Sequence, residues 1–392
     1  MKKLLGMLLI LCLLLSAAGA ETVLNGGETR DITIHPAGNN PILPDVSPTT
    51  GRARSEIPAV DGWAGWAITQ RYMPVIVQID NAGGGVVAEG PELGKRAPWG
   101  VDYVDVIYET PLYKGGQTRL SFLFSDVLPT GVGPVRSTRV FHAWLREEWD
   151  CGFCYYGEQK YTATNVPAIF KETGANKKGV LFSGTVGSNH EHKKYYFSRN
   201  DAAAMKKAGT DLPKLGYPLS GPHDMGVNVA AISTLIPAKT AAERAWLFTD
   251  ELPTGGDEAT QIHVTWGHKQ YNSLLEWDED DNQYYRYMID IPKSPIYADL
   301  DSGEPVSFSN VIVQFTPMQW VMSDAPKPTV LGTGNADYFI GGRHFAGVWQ
   351  REDLASRTVF YGEDGEEIKL NPGRTLIIVM DYEIESRSIS FE

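Results

Sequence analysis

The stretch Pro74-Val75-Ile76-Val77-Gln78-Ile79-Asp80-Asn81 decides how this chain is read. Its apolar run is short, β-branched and almost uninterrupted, which is the pattern of a strand covered on both faces. It ends in Asp80-Asn81 and a Gly83-Gly84-Gly85 turn. Working outward, a second apolar segment at 104–108 ends at Glu109, and residues 118–124 form a third strand entered through Gly115-Gly116. Val140, Phe141, Trp144, Leu145 and Trp149 recur at helical spacing, so a helix is expected over 140–149, followed by another strand at 154–156. Strands interleaved with helices predict an α+β or α/β N-terminal domain with a mixed sheet, placed at 63–250.

From the Pro253-Thr254-Gly255-Gly256-Asp257 turn onward the texture changes. Short strand candidates at 261–266, 273–277, 284–290, 310–315, 338–340, 359–361 and 375–380 are separated by Gly, Asp and Asn turns, with Asp364-Gly365 as a strong hairpin signal. This predicts a β-rich C-terminal domain at 251–392. Residues 21–62 carry Pro36, Pro41, Pro44, Pro48 and Pro58 without periodicity, and read as a flexible linker.

The N-terminus sets the compartment. Lys2 and Lys3 precede an apolar run at 4–15, which is too short to span a bilayer and closes on Ala18-Gly19-Ala20. This is the pattern of a secretory signal peptide, residues 1–20, cleaved after Ala20. Cys12 follows Leu11, where lipoprotein processing needs a small residue, so a soluble exported protein is expected rather than a membrane-anchored one. Losing Lys2 and Lys3 takes the formal net charge from -13 to -15 on the remaining 372 residues. So acidic a chain has no general attraction to nucleic acid or anionic lipid, although a local basic pocket remains open to it. Cys151-Gly-Phe-Cys154 has redox-motif spacing but follows a helix instead of starting one, so structural or disulfide-linked cysteines are expected.

Taken together, the segments 75–81, 104–109, Gly115-Gly-Gln-Thr-Arg119 and Val132-Gly-Pro-Val-Arg-Ser-Thr-Arg139 resemble the N-terminal domain of the YerB-like family of exported bacterial proteins. Pro222-His223-Asp224 resembles that family's Pro-His-Asn element, with Asp in place of Asn. Tyr285-Arg286, Asp299-Leu-Asp-Ser-Gly303, Asn310-Val-Ile-Val-Gln314, Gly347-Val-Trp349 and Leu370-Asn-Pro-Gly373 resemble its second domain. The resemblance covers about 65–385 and implies an envelope-associated protein of uncharacterised function. This chain departs from the family's lipoproteins at Cys12 and from its pattern at Gly83-Gly84-Gly85.

Val132–Arg139 is also the best site candidate, because it places Arg136 and Arg139 at the expected mouth of a helix. A helix start favours anions, so these arginines need carboxylates or a bound anion. Asp80 and Asn81 lie where a strand ends, the place where ligands collect on open sheets. With Glu109 and Arg119 on neighbouring strands, Asp80, Glu109, Arg119, Arg136 and Arg139 are expected to converge, with Ser137 or Thr138 capping the helix and His223 as a polar cleft residue. The alternative is an internal salt-bridge network.

The competing chemistries are weaker. Asp80 and Glu109 would serve as a glycosidase pair only at the right separation. His190-Glu191-His192 and His223-Asp224 are too loosely spaced for a metal site, and no motif points to a cofactor. Trp266, Trp277, Trp320, Tyr338 and Trp349 read as core aromatics before sugar platforms. The expected function is therefore binding of a polar or anionic ligand, such as a cell-wall glycan or peptide. An extracellular hydrolase and a scaffold recruiting an envelope protein are the alternatives; whether the chain is an enzyme stays open.

Overall fold

Strand β1, Val75–Asp80, is buried along its whole length and sits inside a large mixed sheet. A computed structural model describes residues 21–38, 40–60, 64–69, 71–81, 97–219, 223–237, 245–289 and 296–392. The expected signal peptide at 1–20, Cys12, the expected turn at 83–85 and Pro222 lie outside these. The N-terminal half contributes β2 (Val106–Pro111), β3 (Thr118–Phe124), helix α1 (Val140–Trp149), β4 (Gly152–Tyr155) and β5 (Leu181–Ser183). The C-terminal half contributes β6 (Asn310–Phe315), β7 (Gly332–Ile340), β8 (Arg343–Arg351) and β9 (Thr375–Met380) to the same sheet. The order across it is β8-β7-β6-β9-β2-β3-β1-β4-β5.

The junction between the halves is β9 lying parallel to β2, with Thr375 opposite Val106 and Ile378 opposite Glu109. On its other side β9 runs parallel to β6. Two domains were expected from sequence, at 63–250 and 251–392, and one sheet runs through both regions. The reason is in β9 itself: Thr-Leu-Ile-Ile-Val-Met is buried on both faces, so it needs a neighbour on each edge and cover above and below.

Period-2 alternation divides the side chains between two cores. Val75, Val77 and Ile79 join Ile107, Leu120 and Phe122 in one core, together with Ile262, Trp266, Leu275 and Tyr284 from a smaller antiparallel sheet built on Gln261–Thr265, Ser273–Asp278, Gln283–Met288 and Ser388–Phe391. Ile76, Val106, Tyr108 and Leu123 face the other way and pack beneath Val140, Ala143, Leu145 and Trp149 of α1. Helix and small sheet thus sandwich the large sheet. Tyr338, Trp266 and Trp349 are buried, and Trp277 packs on the first core.

Residues 21–60 depart from the flexible linker expected. Thr22–Val23 pairs antiparallel with Ser390–Phe391, and the Arg30 guanidinium makes two hydrogen bonds to Asp337 at 2.9 and 3.0 Å. Further on, Thr50 Oγ1 donates to Asp126 Oδ2 at 2.7 Å, and Ser47 Oγ donates to Asp126 Oδ1 at 2.5 Å. The prolines keep this segment largely extended, with a short 3-10 turn at Arg54–Glu56, and buried carboxylates on the body supply what its hydroxyls need. Cys151 and Cys154 are buried and not joined in a disulfide, one in each core, because residues 152–155 form a strand that turns them to opposite faces.

Candidate anion-binding site

Residues 132–138 form an extended segment locked to its neighbours through backbone bonds. Asp80 N–H donates to the Pro134 carbonyl and Arg136 N–H to the Gln78 carbonyl, each at 2.8 Å. Val132 exchanges bonds with Val227, Tyr156 N–H donates to the Arg136 carbonyl, and Thr138 N–H donates to the Gly157 carbonyl. The segment therefore holds Arg136, Ser137 and Arg139 rigidly over the ends of β1 and β3, and delivers the chain into α1 with Arg139 as the N-cap residue.

Directly across β1 and β3, Asp80 is the register partner of Arg119. The Arg119 guanidinium lies 3.9 Å from Asp80 Oδ1, and Arg136 Nε is 3.2 Å from Oδ2. Oδ2 is also bonded to His223 Nδ1. Ser137 Oγ accepts from Arg119 Nη1 at 3.1 Å and from Arg139 Nη1 at 3.0 Å. Two guanidinium groups thus meet one carboxylate, and Ser137 joins a third, that of Arg139, to Arg119. Arg119 is almost wholly buried, whereas the Arg136 side chain keeps 26 % of its exposure and stands at the opening.

The expected helix cap is corrected here. Ser137 is occupied by the two guanidiniums, and Thr138 donates to the Arg139 carbonyl instead of capping. The cap function falls to His142, whose Nδ1 accepts the Arg139 N–H at 3.0 Å. That bond leaves the proton on Nε2, which is 3.1 Å from Thr110 Oγ1. Burial, then the charges of Arg119 and Arg139, drive the His142 value well below the ordinary 6.5, so it is a neutral ring. His142 and Thr110 were not singled out by sequence. The three-residue spacing between Arg139 and His142 is the signal that points to the former.

The electrostatics follow from burial against charge. Burial favours the neutral form of Asp80, but the His223 bond and the Arg119 and Arg136 charges outweigh it and hold the carboxyl below its ordinary 3.8. Burial pushes Arg119 down to about 10, which leaves it charged at neutral pH, and lowers Arg139 as well.

Glu109 and Asn81 do not join this cluster. Glu109 pairs with Leu120, and Asn81 follows Asp80 by one residue, so both point to the face opposite Asp80 and Arg119. There Glu109 Oε2 accepts from Arg286 Nη2 at 2.7 Å, and Oε1 accepts from Thr118 Oγ1 at 2.7 Å and Asn81 Nδ2 at 3.2 Å. This is a buried pair tying the large sheet to the small one. It also separates Asp80 from Glu109, so the two carboxylates cannot flank one glycosidic bond. Elsewhere, His192 Nε2 lies 3.1 Å from the Ser183 carbonyl, and no group of three His, Cys, Asp or Glu side chains suited to a metal occurs among the described residues. No helix among them is long and apolar enough to cross a membrane. The cavity of about 760 Å³ between residues 35–40 and the sheet, lined by His35, Phe345 and Glu367, lies apart from the arginines.

A large mixed sheet shared by two halves, with an arginine cluster at its strand ends, defines a two-part fold whose halves correspond to two catalogued domains of unknown function. Residues 66–211 match the N-terminal domain, and 262–377 the C-terminal domain, of the DUF3048 family, described as proteins of unknown function, and the chain belongs to that family. It is 21% identical over 299 residues to a Bacillus subtilis (strain 168) protein named "Putative lipoprotein YerB", covering 75% of this chain and 80% of that protein. The crystal structure of YerB from Bacillus subtilis shares the fold, with a TM-score of 0.62 at 18% identity over 88% of this chain and 99% of that one.

Proposed function

We propose that this protein is exported to the cell envelope and that Arg119, Arg136 and Arg139 bind an anionic group presented there, on a cell-wall glycan or peptide, without cleaving it. The observation that carries the reading is a local excess of positive charge: Arg119 and Arg136 share the carboxylate of Asp80, and Arg139 is joined to Arg119 through Ser137, in a chain whose net charge is -13. Partly buried, hydrogen-bonded arginines hold anions far better than exposed ones, because water competes less. The signal-like N-terminus and the lipoprotein name of the Bacillus relative support the location. Purified residues 21–392 are expected to co-sediment with isolated cell walls, and Arg136→Ala to weaken that binding by about tenfold, the loss of one charge-assisted contact. Unchanged binding in Arg136→Ala overturns the proposal.

One observation favours a second reading, hydrolysis. His223 Nδ1 is held by Asp80, the arrangement that orients an imidazole for proton transfer through Nε2. Release of soluble fragments from cell wall that is lost in His223→Ala but kept in Glu109→Gln would select it over binding alone.

A further inference from the structure

We infer that the group held at the arginine cluster is a phosphomonoester, a phosphoryl group carrying close to two negative charges, in preference to a carboxylate or a phosphodiester. The inference rests on the anion-binding reading above and narrows it.

Charge is the first argument. Arg119, Arg136 and Arg139 bring three positive charges, His142 is neutral, and two carboxylates answer them, Asp80 beside Arg119 and Arg136 and Asp324 acting on Arg139, which leaves a surplus of one. In that net positive field a phosphomonoester, which carries about −1.5 to −2 near neutral pH, gains more than a singly charged carboxylate or diester. Glu158 pairs with Lys160 at 3.2 Å, so its charge is offset there.

Open donors are the second. The Nε atoms of Arg119 and Arg139 are buried without a hydrogen-bond partner, and Arg119 is only 3% exposed. A buried guanidinium N–H left unsatisfied costs free energy that an acceptor oxygen would recover. Ser137 Oγ already accepts two N–H bonds, so its own proton is available to an incoming oxygen.

Geometry is the third. The donors come from three directions: β3, the extended segment before α1, and the start of α1, whose first turn adds partial positive charge. One planar fork saturates a carboxylate, whereas donors from several sides suit the three oxygens of a phosphoryl group.

The test is titration calorimetry of residues 21–392 with phenyl phosphate, diphenyl phosphate and benzoate. Phenyl phosphate is expected to bind about tenfold or more tighter than either monoanion, and to lose about tenfold in Arg136→Ala and severalfold in Ser137→Ala. Both substitutions lie at the rim, and native tryptophan fluorescence checks that each variant is folded. Glucose 6-phosphate and phosphatidylcholine vesicles carrying phosphatidic acid then tell a soluble sugar phosphate from a lipid headgroup. Benzoate or diphenyl phosphate binding as tightly as phenyl phosphate overturns the phosphomonoester inference while the anion site stands. No binding of any of the three anions overturns both.

Discussion

Asp80 is the single carboxylate on which two arginines and an imidazole converge, so its removal isolates more charge than it deletes. Asp80→Asn leaves Arg119 buried with no counter-ion, and is expected to cost about 3 kcal/mol in urea denaturation at pH 7. The pH dependence has a definite sign. A carboxyl held below its ordinary 3.8 stabilises the fold above that pH, and the contribution disappears as pH falls through the lower folded value. The gap between wild type and Asp80→Asn should therefore close below about pH 4. A gap independent of pH would show that Asp80 is not ionised in the fold. At this scale the arginines were legible in the sequence, because a charge at a helix mouth needs an explanation. Ser137 was named with the site, but its role was not legible: a hydroxyl before a helix reads as a cap, and only the approach of Arg119 from a distant strand reassigns it.

Among the elements, β2 and the strand Gln283–Met288 are joined by the Glu109–Arg286 pair, in which both side chains are 1% exposed. Arg286→Met strands a buried carboxylate and is expected to cost about 3–5 kcal/mol, while Glu109→Leu combined with Arg286→Met should recover most of it. Additive losses in the double variant, measured by chemical denaturation, would mean that the pair contributes little beyond packing. Strand alternation explains why Glu109 left the site predicted for it. The sequence supplies the period of two, and adjacent Asp80 and Asn81 already had to diverge. Whether Glu109 faced the first or the second depended on strand register, which pairs it with Leu120 rather than Arg119. The elements themselves were readable. The helix expected at 140–149 and the strand at 118–124 match α1 and β3, since apolar periodicity is a local property. Gly332–Ile340 extends well beyond the strand expected at 338–340, and Arg343–Arg351 was not expected as a strand, because small and polar residues in both are carried by cross-strand bonding.

Over the whole molecule, the N-terminal segment closes on a pair of buried acids. Asp105 Oδ2 accepts from the Ser125 N–H at 2.6 Å, the Ser125 hydroxyl at 2.8 Å and Thr49 at 3.2 Å, while Asp126 accepts Ser47 and Thr50. Burial, then the neighbouring Asp126, raises the Asp105 carboxyl to about 8. The sign is opposite to that of Asp80: stability is complete below the ordinary 3.8 and is lost as pH rises through about 8. The melting temperature of the wild type should fall from pH 5 to pH 9 more steeply than that of Asp105→Asn; parallel slopes would refute the raised value. Deleting residues 21–50 removes Arg30, Ser47 and Thr50 from their carboxylate partners and should lower the melting temperature by several degrees. An unchanged melting temperature would restore the description of that segment as a free linker.

The sequence by itself determined the elements that apolar periodicity encodes, the two-part family pattern, and the presence of an arginine pair in need of an anion. Those are local facts, written within ten or so residues. Only the tertiary structure decided that β9 would cross into the N-terminal half, that residues 21–60 would lie against the body, and that Asp80 would face two guanidiniums while Glu109 turned to Arg286. Each of these depends on contacts between residues far apart in the chain, where the register of one strand against another selects the partner.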